Sequence, residues 1–319
     1  MEMLNEELIK KISKSKGEDE WMLEFRLNSY RKFLELENPT FGPSIEIDFS
    51  KLNYYKKEGN LTNDWNNVRC DIRNRFKALG VIDAEREHLS GVSNQIESEV
   101  IYHNGRDEVN EKGVIFLSTD EALKKYPDLF KKYFNNLVKY DENKYTALNG
   151  ALWSGGSFIY IPPYTKLDRP LQSYFRIESS SLGQFERTII IVDEGAELSY
   201  IEGCTAKSYS VSSLHAGVVE IYVGKNAKCK YSTIQNWSKD VYNLVTKRAI
   251  VLDNGLMEWV DGNVGSGVTM KYPSCILKGN NSVGNSISIA YAKDNQHLDA
   301  GAKMIHIGEN TRSNIVSKS

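Results

Sequence analysis

Cysteine is sparse in this chain of 319 residues. There are four, Cys70, Cys204, Cys229 and Cys275, and none stand in CxxC spacing. That argues against a disulfide framework or a zinc ribbon and fits a reducing, cytoplasmic compartment. Long apolar runs are lacking too. Nothing approaches the ~20 residues that span a bilayer, and the opening MEMLNEELIKK carries no apolar signal segment. Excess charge is missing, with 40 Lys and Arg against 42 Asp and Glu, net −2. No basic field is therefore available to hold nucleic acid or an anionic membrane. There is no GxxxxGKS/T loop to cradle nucleotide phosphates and no HxxxH pair; His297 and His306 are nine apart. Glu178 and Glu186 form no recognisable acid–base pair.

What is present is a rhythm. Thr188–Val192 is β-branched and apolar, Asp193-Glu194-Gly195 is turn chemistry, and Leu198–Ile201 reads as a second strand. The unit recurs around Gly224-Lys225-Asn226, Asp253-Asn254-Gly255, Gly279-Asn280-Asn281 and Gly308-Glu309-Asn310. The third turn positions, 195, 226, 255, 281 and 310, are 31, 29, 26 and 29 residues apart. A strand–turn–strand unit at that period is a solenoid signature, because one unit cannot bury its own apolar face and must stack on the next. The competing reading is a β-sandwich with evenly spaced hairpins. The last residues, Ile315–Ser319, stop inside a rung without a cap, which reads as a fragment.

The first part differs. Leu4, Leu8 and Ile12 mark one helix face, and Met22, Phe25, Ser29, Phe33 and Leu36 a second, stopped at Asn38-Pro39. Residues 40–67 read as irregular, anchored by Tyr54, Tyr55 and Trp65. Val68, Ile72, Phe76 and Leu79 predict a third helix ending at Gly80. Gly113–Leu117 reads as a strand, Ser118–Glu121 as a capping box, and Asp128–Lys139 as a helix after Pro127. The period changes from 3.6 to 2 between Lys139 and Leu148.

Chemistry centres on Glu202-Gly203-Cys204. A thiolate is the form useful for sulfur transfer or iron ligation, and Gly203 would let a donor approach closely. The alternative is a packing cysteine, the structural reading preferred for Cys70, Cys229 and Cys275. In Lys247-Arg248 one side chain faces inward if the segment is a strand; the alternative is a solvent-facing pair. Gln235-Asn236-Trp237 lines an interior passage or forms a turn with an aromatic cover. His215 reads as a satisfied core histidine.

The segments FERTIIIVDEGAELSYIEGCTA, LHAGVVEI, KYSTIQNW, YNLVTKR, KYPSCILKGNNSVG and GAKMIHIGENTRSNIVSK resemble the SufB/SufD family of the SUF iron–sulfur cluster assembly system, on its SufB side. ISKSKGEDEWMLEFRL, GVIFLSTDEAL and SYFRIE extend that resemblance through the first half. It implies an α+β chain: a mostly helical N-terminal domain, residues 1–145, then a right-handed parallel β-helix, residues 146–319, incomplete at its C-terminal end. It implies a scaffold rather than an enzyme. Such a scaffold pairs with SufD, or a second SufB, and uses ATP only through a SufC ATPase. Sulfur would arrive as persulfide from a cysteine desulfurase through a SufE- or SufU-type carrier, and a nascent iron–sulfur cluster would form transiently. The family's sulfur acceptor matches Cys204, and its sulfur route matches Glu202, Arg176, Gln235, Trp237 and Lys247. Members run on well past residue 319, where further cluster ligands are expected, and the start looks shortened. An ETGS-like stretch is replaced by Asn263-Val264-Gly265-Ser266. Nothing in the sequence speaks to a flavin. Two other readings stand: a β-helix carbohydrate-active enzyme, which needs clustered carboxylates on an exposed groove, and a purely structural SufD-like subunit.

Overall fold

The structure, a computed structural model, describes residues 3–209 and 211–319. A helical N-terminal region leads into a parallel β-solenoid of about six turns with roughly 29-residue repeats. The helices are α1 (Glu6–Lys16), α2 (Glu20–Glu35), α3 (Cys70–Ala78), α4 (Val81–His88), α5 (Asp107–Glu111), α6 (Thr119–Lys125), α7 (Pro127–Tyr133) and α8 (Lys144–Leu152).

Three strand ladders form the solenoid. The first stacks Gly91–Ile96, Leu171–Ile177, Glu197–Ala206, Lys228–Trp237, Leu256–Gly265, Val283–Tyr291 and Arg312–Lys318 in parallel. The second runs from Ser157–Ile161 through Arg187–Val192, Val218–Val223 and the end of Val241–Val251 to Ser274–Leu277 and Lys303–His306. The third joins Gly183–Gln184, Ser213–His215, the start of Val241–Val251, Val268–Lys271 and His297–Ala300. Rungs close by stacked corners: Gly195, Asn226, Asn254, Asn281 and Asn310 have φ between +54° and +65°. Among L-residues asparagine adopts this region most readily. Corner amides donate to the next rung, as in Gly195 N to Lys225 O and Asn226 N to Asp253 O, both 2.8 Å. Asn254 and Asn281 side chains extend the ladder at 3.1 and 3.2 Å. The expected third corner, Gly255, sits one residue late; Asn254 takes the left-handed position.

The N-terminal region is less purely helical than expected. Gly91–Ile96 and Glu99–Gly105 form an antiparallel hairpin, and Gly91–Ile96 continues the first ladder. Ile115–Ser118 pairs antiparallel with Ser157–Ile161 and continues the second. The hairpin covers what would be an open sheet edge. Ser118 caps α6 as expected, accepting from Glu121 N at 3.2 Å. α7 ends at Tyr133, short of the expected Lys139. Asn135 turns left-handed, φ 54°, and the amides of Asn135, Asn136, Leu137 and Val138 donate to the Glu220 carboxylate instead of continuing the helix. α8 spans residue 145, the expected boundary, and Tyr145–Leu152 are all buried. It packs with α1 and α2 against Leu214, Leu244 and Met270 of the third ladder.

Candidate functional site

Strand alternation sends every second residue inward. In Glu197–Ala206 the inward set is Leu198, Tyr200, Glu202 and Cys204; in Lys228–Trp237 it is Cys229, Tyr231, Thr233, Gln235 and Trp237. Register aligns these into columns. Leu198, Cys229 and Met257 form an apolar column. Ser173, Glu202, Thr233, Asp261 and Ser288 form a polar one, and Cys204 stands beside Gln235 and Asn263. The lumen is thus apolar at one end of each rung and polar at the other.

The polar end is a network of buried charges. Lys247 Nζ lies 3.1 Å from Glu202 Oε1 and 4.6 Å from the Tyr231 ring centroid, while Tyr231 OH donates to Glu202 Oε2. Cys204 Sγ donates to Glu202 Oε1 at 3.7 Å. In the rung beyond, Lys271 Nζ pairs with Asp261 Oδ1 at 2.9 Å, and Thr233 Oγ1 donates to the same oxygen at 2.6 Å. His215 Nε2 sits 2.7 Å from Glu186 Oε1, and its Nδ1 sits 2.8 Å from Asn243 Oδ1. Three carboxylates face three basic side chains, as burial of charge demands.

These pairings set the protonation of the site. Burial pushes the Cys204 thiol well above its ordinary range, and Glu202 and Glu186 push it further against a partial offset from Lys247 and Lys271. Burial alone would raise Glu202 and Asp261, but the lysines and their hydroxyl donors outweigh it and hold both carboxyls below the usual range. Burial opposes the charge on Lys247 also; Glu202 and Asp261 outweigh it and raise that ammonium. Lys271 is lowered, by burial and by Lys247, with Asp261 opposing. His215 is raised: Glu186 and Asn243 overcome burial.

Five of the six expected site residues meet in this lumen: Cys204, Glu202, Lys247, Gln235 and Trp237 are all buried. Trp237 shares a cluster with Cys204 and Phe175. Arg176 does not join them. It points from the outer side of its strand, bonded to Glu178 and at 3.1 Å to Thr205 Oγ1. The expectation for Gly203 is corrected as well: the space over it is filled by the Tyr174 ring, 2.7 Å from where a Cβ would stand. The glycine admits that ring, not a donor. His215 is satisfied, as expected, but its partner is Glu186, which sequence reasoning left unpaired. Asp261, Lys271, Thr233, Tyr231 and Asn243 were also missed. Their signal was a polar residue at the inward position in successive rungs. Among the described residues no group of three or more His, Cys, Asp or Glu is arranged to hold a metal ion, and no helix is long and apolar enough to cross a membrane.

A parallel solenoid whose lumen holds a buried charge network with Cys204 in it defines the class. The comparisons narrow it. The family described as SUF system FeS cluster assembly, SufBD core domain, matches residues 175–319, and SufBD protein N-terminal region matches residues 87–173. Similar proteins include the iron-sulfur cluster assembly SufBD family proteins of Staphylococcus saprophyticus subsp. saprophyticus, Staphylococcus epidermidis and Staphylococcus haemolyticus. Each is 54% identical over 318 residues, 99% of this chain and 68% of the relative. The chain belongs to the SufBD family of iron–sulfur cluster assembly proteins.

Proposed function

We propose that this chain acts as a scaffold on the SufB side of its family and that Cys204 accepts sulfane sulfur. The observation that carries this reading is the Cys204 thiol 3.7 Å from a carboxylate, Glu202, that Lys247 and Tyr231 hold in place. The thiol gives its proton to Glu202. The resulting thiolate attacks the outer sulfur of a carrier persulfide, forming a Cys204 S–S bond as the carrier's S–S bond breaks. The carrier leaves as a thiol, taking the proton from Glu202, and no net redox change occurs. Lys247 stabilises the transient thiolate. Cys204 has no exposed surface, so transfer is coupled to an opening of the lumen. The sulfur carrier with its desulfurase, a SufC ATPase and a SufD or second SufB subunit are the partners this role needs, and the nascent cluster is cargo. The carbohydrate-enzyme reading loses support, because Glu202, Asp261 and Glu186 are buried and each is paired with a basic side chain rather than lining a groove.

The test is anaerobic incubation with a cysteine desulfurase, its carrier and sulfur-labelled cysteine, followed by peptide mass spectrometry. Label on Cys204 that is absent in Cys204→Ser is expected. An unlabelled Cys204 in the folded protein, with a carrier active on another scaffold, would overturn the acceptor role.

A further inference from the structure

Two buried donors beside Cys204 have no hydrogen-bond partner: Gln235 Nε2 and Trp237 Nε1. Gln235 is the register partner of Cys204 on the adjoining strand, both side chains inward, and Trp237 shares the thiol's packing cluster. An unmade hydrogen bond at a buried donor is costly, so two at one place need a reason.

The reason lies in how the Gln235 amide is oriented. Lys271 Nζ, paired with Asp261, donates to Gln235 Oε1 at 3.4 Å. Asn243 Nδ2 donates to that same oxygen at 2.8 Å and to Thr269 Oγ1 at 3.2 Å. With its amino group so committed, Asn243 turns its oxygen to His215 Nδ1, which must therefore donate. His215 Nε2 faces the Glu186 carboxylate, which can only accept, so it donates too. This arrangement calls for a doubly protonated His215, which donates to Glu186 on one side and to Asn243 on the other, and Asn243 in turn donates to Gln235. The Gln235 amide then has its oxygen occupied and its N–H group free.

We propose that Gln235 Nε2–H and Trp237 Nε1–H form a two-donor cradle for the terminal sulfur of a persulfide on Cys204, and that Asn243, Lys271 and His215 are positioning residues that aim it. This rests on Cys204 being the acceptor. A hydropersulfide anion is a soft, weakly hydrated acceptor, suited to an amide and an indole N–H in a dry site. The cradle explains why the polar lumen extends past the Glu202 pair.

The test loads the full chain anaerobically from cysteine through a cysteine desulfurase and a carrier shown to be active on another scaffold. Peptide mapping measures the fraction of Cys204 carrying extra sulfur and then its survival in dithiothreitol, normalised to the loaded fraction. Loaded wild type is expected to lose that sulfur about tenfold more slowly than loaded Gln235→Met or Asn243→Leu, the order of one hydrogen bond to a charged acceptor. Equal lifetimes in folded variants would overturn the cradle and leave sulfur acceptance standing. A wild type that never loads would overturn both. A second measurement needs no variant: nitrogen-15 resonances of His215 are expected to show both ring nitrogens protonated at neutral pH. A neutral imidazole there would undo this arrangement of donors and sink the positioning role, whatever Cys204 does.

Discussion

Burial sorts the four thiols into one and three. Cys70 is exposed, whereas Cys204, Cys229 and Cys275 are buried, and burial raises all three, Cys275 to about 12. An alkylating reagent at neutral pH is therefore expected to label Cys70 alone in the native protein and all four in denaturant, read by mass spectrometry. Fast native labelling of Cys204 would show that the lumen opens without a carrier. The Glu202–Lys247 pair gives a second expectation. Glu202→Gln leaves a buried ammonium without its counter-charge and should cost about 3–5 kcal/mol. Glu202→Gln with Lys247→Met should cost much less than the sum of the two singles, in a urea-unfolding cycle. Cys204, Glu202 and Lys247 were legible because they sit in a recognisable strand sequence with a clear inward alternation. Their neighbours were not: Glu186 and His215, 29 residues apart, meet through rung stacking, and Asp261 and Lys271, 10 apart, meet only when their rung closes across the lumen.

At the level of elements, corners carry the strain. Gly265 has φ +84°, and a Cβ there would stand 1.9 Å from Trp237 O, a backbone atom that cannot move aside. Gly265→Ala should destabilise by roughly 3 kcal/mol or more, whereas Asn254→Ala, at an exposed left-handed corner where it gives up bonds to Asn226 and Asn281, should cost about 1 kcal/mol. Comparable losses at the two sites, measured by thermal unfolding, would show that backbone clash does not set the corner geometry. The solenoid strands were readable because one face is buried and the period is 2. α8 was not readable, because a helix buried on every side shows no amphipathic period. The hairpin over Gly91–Gly105 was missed because Gly91–Ile96 is buried throughout and includes Ser93, Asn94 and Gln95. Polar residues inside a strand make sense only once the lumen is known.

For the whole molecule, pH decides how many of these buried groups keep their preferred charge. His103 is half-buried against Phe116, and that partial burial holds it neutral, with its pKa lowered to about 4. The unfolded chain binds a proton near pH 6.5 that the folded chain refuses, so stability falls as pH drops from 6.5 towards 4, by roughly 3 kcal/mol. Glu202 and Asp261 have lowered values, so their contribution is full above the ordinary carboxylate range and is lost on further acidification. His215 works in the opposite sense: its raised value stabilises below pH 6.5 and the benefit is lost as pH rises through its folded value. Urea midpoints from pH 8 to 4 should therefore decline on the acid side, and His103→Phe should flatten the first part of that decline. An unchanged slope in His103→Phe would refute the assignment.

The sequence by itself determined the repeat, the solenoid and the first three helices. Those are local facts: turn chemistry, alternation and a near-constant spacing constrain the chain wherever it folds. Only the tertiary structure decided that Arg176 stays outside, that Tyr174 covers Gly203, and that His215 sits between Glu186 and Asn243, next to Gln235. Each is a choice of partner between side chains on different rungs or opposite faces of a strand. Register and closure of the lumen make those choices together, and no short stretch of sequence contains them.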